Sequence, residues 1–231
     1  MVIKTRKNYL EALRKMRPNI YKFGELIKDV TAHPTTKRTI ESHALCYDAS
    51  NDKNLEDLFT TTSKFIGEKI HRWNSMMQSS EDLILNMKMK RKSFHLSGNC
   101  TGAICVGFNA QNAMWAVTHE MDKEFGTEYQ KRLKNWILES QKEGWTVAAA
   151  LTDAKGNRSL KPSQQENPDS NLRIVEVKED GVIVRGAMHG GGSPDGARLM
   201  IRVLTPFEEY AGYAKKIMNI KEDISEPKKK K

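Results

Sequence analysis

The sequence predicts an α+β protein with a mostly helical first part, a partial β segment and a short helical end. Apolar residues recur at helical spacing through most of residues 7–144. Strand-like alternation is confined to Leu172–Val184, around the turn Glu179-Asp180-Gly181. Between the two, the character changes at Trp145, where small residues and then Pro, Asn and Ser take over. The expected domains are 1–145 (helical), 146–187 (a partial β domain) and 188–231 (a C-terminal helical segment with a basic tail).

Tyr9, Leu10, Leu13 and Met16 place a helix over residues 7–16, stopped by Pro18. Ile20–Val30 is mixed and contains Gly24, so it reads as an extended excursion. Helices are expected over 36–49 and 53–78, then over 80–96 with Ser79 or Ser80 as cap. Gly98 interrupts, and Ile104, Phe108, Ala113, Trp115, Ala116 and Met121 support a buried helix within 101–125. Gly126-Thr127 opens another, which Gly144 ends. Thr146–Leu151 is a short run of small and apolar residues leading into a turn at Asp153–Asn157. Leu172–Val177 and Val182–Val184 read as a hairpin too small to be stable alone. Ser193-Pro194-Asp195 signals a helix start, and Thr205-Pro206-Phe207-Glu208 a second helix over 206–219.

Composition limits the function. The chain has 231 residues, 38% hydrophobic and 29% charged, which excludes a disordered chain, a collagen-like repeat and a disulfide scaffold. No stretch reaches the roughly 18 apolar residues of a membrane helix, so no membrane role is expected. The opening MVIKTRKNYL has no apolar segment and no small-residue cleavage site, so no secretory signal is read there. Three cysteines, Cys46, Cys100 and Cys105, suit a reducing compartment, and the cytoplasm is expected. The net charge of +9 is patchy, with ten Lys/Arg against three acids in residues 1–40 and further clusters at Lys88–Lys92 and Lys228–Lys231. Aromatic residues do not interleave with these clusters, which argues against a nucleic-acid partner.

Candidate chemistry is sparse. Cys100 and Cys105, with His95 upstream, are either packed thiols or two of the three or four ligands that a metal centre needs. Gly190–Gly192 before Ser193 is either a joint or a backbone cradle for an anion. It is neither a P-loop nor a dinucleotide fingerprint, because Ser-Pro follows and no parallel strand–helix unit surrounds it. Leu151-Thr152-Asp153-Ala154-Lys155-Gly156-Asn157-Arg158 is a charged turn whose Lys155 and Arg158 could reach a pyrophosphate. The six histidines form no H-x-x-x-H or H-E-x-x-H pattern. Residue types and spacing alone identify no reaction.

Several segments nevertheless form a familiar set. They are Tyr9–Arg14, Phe23-Gly24-Glu25 followed by His33-Pro34, Gln78–Leu83, Phe125–Tyr129, Leu151–Arg158, Arg173–Glu176 and Glu179–Ala187. With them the chain resembles the flavoprotein family of 4-hydroxybutyryl-CoA dehydratases (which also isomerise vinylacetyl-CoA) and 4-hydroxyphenylacetate 3-monooxygenase oxygenase components. The dehydratase branch is the nearer.

The resemblance implies an acyl-CoA-dehydrogenase-like plan and an FAD cofactor. In the dehydratase branch it also implies a 4Fe-4S cluster held by three Cys and one His. That cluster binds the substrate hydroxyl, and the flavin takes and returns an electron after α-deprotonation. Cys100 and Cys105 match two cluster ligands, but as C-x4-C where the family has C-x3-C. Leu151, Thr152, Asp153, Lys155, Gly156 and Arg158 match the flavin-binding stretch, and His189, Gly192 and Ser193 match a second one. After Ala187 the chain departs from the family and resembles a member joined near His189 with its middle missing. It is therefore expected to be inactive alone and to hold FAD weakly. Implied partners are an acyl-CoA or aromatic substrate, and either further copies of the chain or a separately encoded remainder. The alternatives are a flavin-dependent aromatic hydroxylase and a non-catalytic subunit or paralogue.

Overall fold

The computed structural model describes residues 3–16, 20–98, 102–153, 156–179, 181–190 and 198–201. They form an α+β structure divided into two compact units, one of the described residues up to Ala150 with Gly190 and Arg198–Ile201, the other of those from Leu151 to His189.

The first unit opens with helix α1 (Arg6–Met16), which buries Tyr9 and Leu13, four positions apart on one face. Arg6 ties it to helix α2 (Pro34–Ser50) through Asp48 Oδ2, at 2.8 Å from Nε and 2.6 Å from Nη2, and also bonds Glu41. Between the helices lies a hairpin, β1 (Tyr21–Lys22) and β2 (Glu25–Leu26), closed by the two residues Phe23 and Gly24 at φ +51° and +85°. A two-residue hairpin turn needs positive φ at both positions. For Phe23 that conformation costs about 1–2 kcal/mol. Helix α2 starts where Pro34 occupies its first turn and His33 Nδ1 accepts from the Thr35 amide at 3.2 Å.

The expected helix over 53–78 is corrected. Only α3 (Glu56–Phe59) is helical there, followed by β3 (Thr60–Thr62), β4 (Lys69–His71) and a single 3₁₀ turn, Arg72–Asn74. Three successive β-branched threonines favour strand. Ser63 Oγ accepts from the amides of Phe65 (3.1 Å) and Ile66 (3.3 Å), which turns the chain. Gly67 completes the reversal at φ +68°. The buried Arg72 guanidinium holds the result, donating to the carbonyls of Leu58 (2.7 Å), Asp57 (2.9 Å) and Thr60 (2.6 Å).

Helix α4 (Ser80–Ser97) follows the sequence expectation. Ser79 Oγ accepts from the Asp82 amide at 3.1 Å, and Gly98 ends the helix at φ +61°. Helix α5 (Gly102–Phe125) and helix α6 (Tyr129–Glu143) pack together, and Gly144 closes α6 at φ +60°. Asp122 caps the start of α6, accepting from Thr127 Oγ1 (2.6 Å) and the amides of Tyr129 (2.7 Å) and Gln130 (2.9 Å). The core joins Tyr9, Leu13, Ile40, Tyr47, Phe59 and Met89, among others, in one cluster, with Met76, Leu133 and Ile137 in a second. At its centre Tyr9 stacks on Tyr47 at 4.7 Å and His71 on Trp73 at 4.1 Å.

The C-terminal helix expected from Ser193 is also corrected. Strand β5 (Val147–Asp153) pairs in parallel with β9 (Arg198–Ile201), Ala148 opposite Leu199 and Ala150 opposite Ile201. The apolar run Leu199-Met200-Ile201 finds a strand edge, so residues 198–201 are strand and not helix. Ser193 itself and the helix expected over 206–219 lie outside the described residues.

The second unit contains the hairpin β6 (Arg173–Lys178) and β7 (Gly181–Arg185), and strand β8 (Met188–Gly190) comes next in the chain. A bulge separates Ile174 from Glu176. Val175, Val177, Val182, Ile183 and Val184 are all exposed, so the apolar residues of this hairpin are uncovered. Gly186, at φ +133°, is required there, because a Cβ would meet the Asn171 carbonyl oxygen at 2.1 Å.

Candidate cofactor-binding site

Strand β5 delivers the candidate flavin-binding residues, and its approach is fixed within the first unit. Gly107 on α5 lies against Val147, and a Cβ there would meet the Val147 carbonyl oxygen at 2.0 Å. Glycine is thus the residue that lets the strand lie directly on the helix. Trp73 Nε1 (3.1 Å) and Asn74 Nδ2 (2.8 Å) both donate to the Trp145 carbonyl and pin the segment leading into the strand. Asn74 Nδ2 also donates to Ser140 Oγ at 2.9 Å, and its carbonyl accepts from Gln141 Nε2 at 3.0 Å. This buried polar network was not singled out from the sequence. Its only signal was Arg72-Trp73-Asn74, a polar run inside a stretch read as helix.

Leu151, Thr152 and Asp153 are the last three residues of β5. Lys155 lies outside the described residues. Beyond it, the second unit holds a turn whose organiser is Gln165. Its Oε1 accepts from the Asn157 amide at 2.9 Å, and its Nε2 donates to the carbonyls of Asn157 (2.8 Å) and Leu160 (3.0 Å). A Cβ on Gly156 would meet Gln165 Oε1 at 2.2 Å, so the glycine makes room for this brace. Asn157 Oδ1 accepts from the Ser159 amide at 3.0 Å. Arg158, held between these bonds, is exposed. A braced loop with an exposed guanidinium has the donor chemistry for a pyrophosphate, since charge-assisted bonds from Arg to phosphate oxygens are short and strong. The residues present therefore fit the phosphate end of FAD. His189 is the middle residue of β8, while Gly192 and Ser193 lie outside the described residues.

Cys105 is half-buried on α5, and Cys100 lies outside the described residues. Cys46 is buried on α2, and burial pushes its thiol pKa up to about 12, so it stays protonated. Among the described residues no three His, Cys, Asp or Glu side chains converge to hold a metal. A 4Fe-4S cluster takes three or four ligands, and of the two candidate ligands only Cys105 is among the described residues. Among the described residues no helix is long and apolar enough to cross a membrane.

Residues 5–214 match the family described as 4-hydroxyphenylacetate 3-hydroxylase N terminal. The chain belongs to this family. It is 39% identical over 193 residues to the 4-hydroxybutyryl-CoA dehydratase/vinylacetyl-CoA-Δ-isomerase of Clostridium aminobutyricum, a match covering 83% of this chain and 39% of the relative. A 4-hydroxyphenylacetate 3-monooxygenase oxygenase component from a Geobacillus strain is 24% identical over 186 residues, covering 80% of this chain and 37% of the relative.

Among solved structures, an oxygen-tolerant archaeal 4-hydroxybutyryl-CoA dehydratase from N. maritimus superposes with a TM-score of 0.80 at 36% identity, covering 89% of this chain and 41% of that one. The oxygenase component of a 4-hydroxyphenylacetate 3-monooxygenase complexed with FAD shares the fold, with a TM-score of 0.67 at 22% identity and coverage of 88% of this chain and 42% of that one. The chain thus spans about 40% of the length of these relatives.

Proposed function

We propose that the chain is the FAD-binding, helical-plus-β part of a dehydratase-type flavoprotein acting on a hydroxyacyl-CoA. The braced loop at Gly156–Arg158 carries this reading, and the 39% identity to the Clostridium aminobutyricum dehydratase supports the branch. FAD, when bound, supplies electron transfer to and from the substrate. Thr152, Asp153, Lys155, Gly156 and Arg158 hold its pyrophosphate and flavin edge, with His189, Gly192 and Ser193 as a second contact stretch. Arg158 orients the phosphates by charge-assisted bonds, and the Gln165 brace keeps the Asn157 turn from collapsing when the anion leaves.

The chain by itself holds FAD weakly. A flavin pocket encloses the isoalloxazine ring in largely apolar walls. One loop gives the phosphates a seat but leaves the ring wet, without the apolar burial that drives most of the affinity. The remaining walls of the pocket lie outside this loop.

The test mixes the purified chain with the remaining part of the Clostridium aminobutyricum dehydratase. The flavin absorbance should sharpen and shift, and vinylacetyl-CoA should isomerise. Hydroxylation of 4-hydroxyphenylacetate by the mixture, without isomerisation, overturns the dehydratase assignment in favour of the hydroxylase branch. A flavin spectrum unchanged from free FAD overturns both.

A further inference from the structure

We propose that the tip of the β1–β2 hairpin is a self-association surface, in which Phe23 of one copy enters the cavity beside the hairpin of a second and receives the same contact in return. The turn needs positive φ at both central positions, and Asn, Asp and Gly are the residues suited to it. Phe23 instead holds φ +51° with 95% of its surface exposed. In the free chain the Lys22 ammonium lies against its ring, 5.1 Å from the centroid. A bulky ring kept where turn chemistry disfavours it, and burying nothing at home, is explained by burial in a partner.

The receptor is on the same face. An open cavity of about 580 Å³ lies beside the hairpin, its apolar lining formed by Leu26, Ile27, Ala32 and Phe23 itself. It is large enough for a phenyl ring. Tyr21 stands opposite Leu26 in the hairpin register, and both are exposed, so the apolar surface continues from the tip along one face.

The charges select the partner. Lys22 and Lys28 lie beside Glu25 and Asp29 along this cavity, all four exposed. A knob, a hole and equal numbers of opposite charges on one small face are self-complementary about a two-fold axis, where lysines of each copy meet carboxylates of the other. An anionic membrane or an acidic protein calls instead for a uniformly basic rim. This inference is independent of the flavin reading.

Sedimentation equilibrium of the full chain tests it. The parent should associate reversibly. Phe23→Asp should raise the dissociation constant at least about 10-fold, the loss expected for a buried aromatic anchor. Phe23→Gly should lose association too while raising Tm, because glycine adopts positive φ freely, and Phe23→Tyr should still associate. Lys28→Glu and Glu25→Lys should each associate poorly alone and recover when mixed. A parent that stays monomeric, or Phe23→Asp that sediments like the parent, overturns the proposal. So does a parent that shows no self-association but binds phosphatidylserine vesicles through Phe23.

Discussion

His71 is the clearest case of a side chain whose surroundings set its chemistry. Its Nδ1 lies 2.9 Å from Ser50 Oγ, and that hydroxyl donates to the Cys46 carbonyl at 3.0 Å. The imidazole is therefore the donor at Nδ1, and Nε2 carries the lone pair. Burial pulls its pKa down from 6.5 to about 3, with the Lys4 ammonium adding to the shift. The unfolded chain takes up a proton below 6.5 that the native ring refuses. Stability is then complete above about pH 6.5 and falls by roughly 1.4 kcal/mol per pH unit below it. Urea midpoints between about pH 7.5 and 5, where the carboxylates stay largely ionised, should show this fall. His71→Phe keeps the stack on Trp73 and should flatten it; an unchanged slope contradicts the assignment. Two glycines offer a second contrast at this scale. Gly107→Ala drives a methyl into the Val147 backbone, so it should cost about 1–3 kcal/mol in thermal unfolding. Gly156→Ala meets only the far end of the Gln165 side chain. That end can swing away, so the variant should leave Tm nearly unchanged and weaken phosphate-end binding.

Among the elements, helices with both a cap and a periodic apolar face were legible in the sequence. Ser79 and Gly98 bracket α4, and Gly144 ends α6. Replacing Ser79 by Ala should cost about 1 kcal/mol, read as a lowered urea midpoint. The hairpin at Thr60–His71 was not legible. Its apolar spacing also fits a helix, and what decides for strand is the Arg72 guanidinium on three carbonyls far from any local pattern. The strand at Arg198–Ile201 was hidden for the same reason, since its partner lies some fifty positions earlier in β5. The β6–β7 hairpin was read correctly because turn and alternation are both local. Its uncovered valines carry a prediction: Val177 and Val182 face each other across the pair, and both are exposed. Val177→Lys with Val182→Glu keeps a favourable cross-strand pair. It should reduce heat-induced turbidity of the isolated chain while leaving Tm nearly unchanged.

For the whole molecule, family membership was legible from scattered segments, and the α+β architecture from composition and periodicity. The turn within Leu151–Arg158 was legible as a charged turn, but nothing local pointed to Gln165, whose amide braces it from eight positions away. Gly107 carries no local signal of the strand β5 that lies on it. The central claim is that this chain seats the phosphate end of FAD at Arg158 and leaves the ring uncovered. Fluorescence titration of FAD against the purified 231-residue chain and its Arg158→Ala variant measures it directly. The expected result is weak, substoichiometric binding by the parent and at least about a 10-fold further loss in the variant, the cost of removing one charge-assisted contact. Stoichiometric FAD carried through purification, or equal binding by parent and variant, would contradict it.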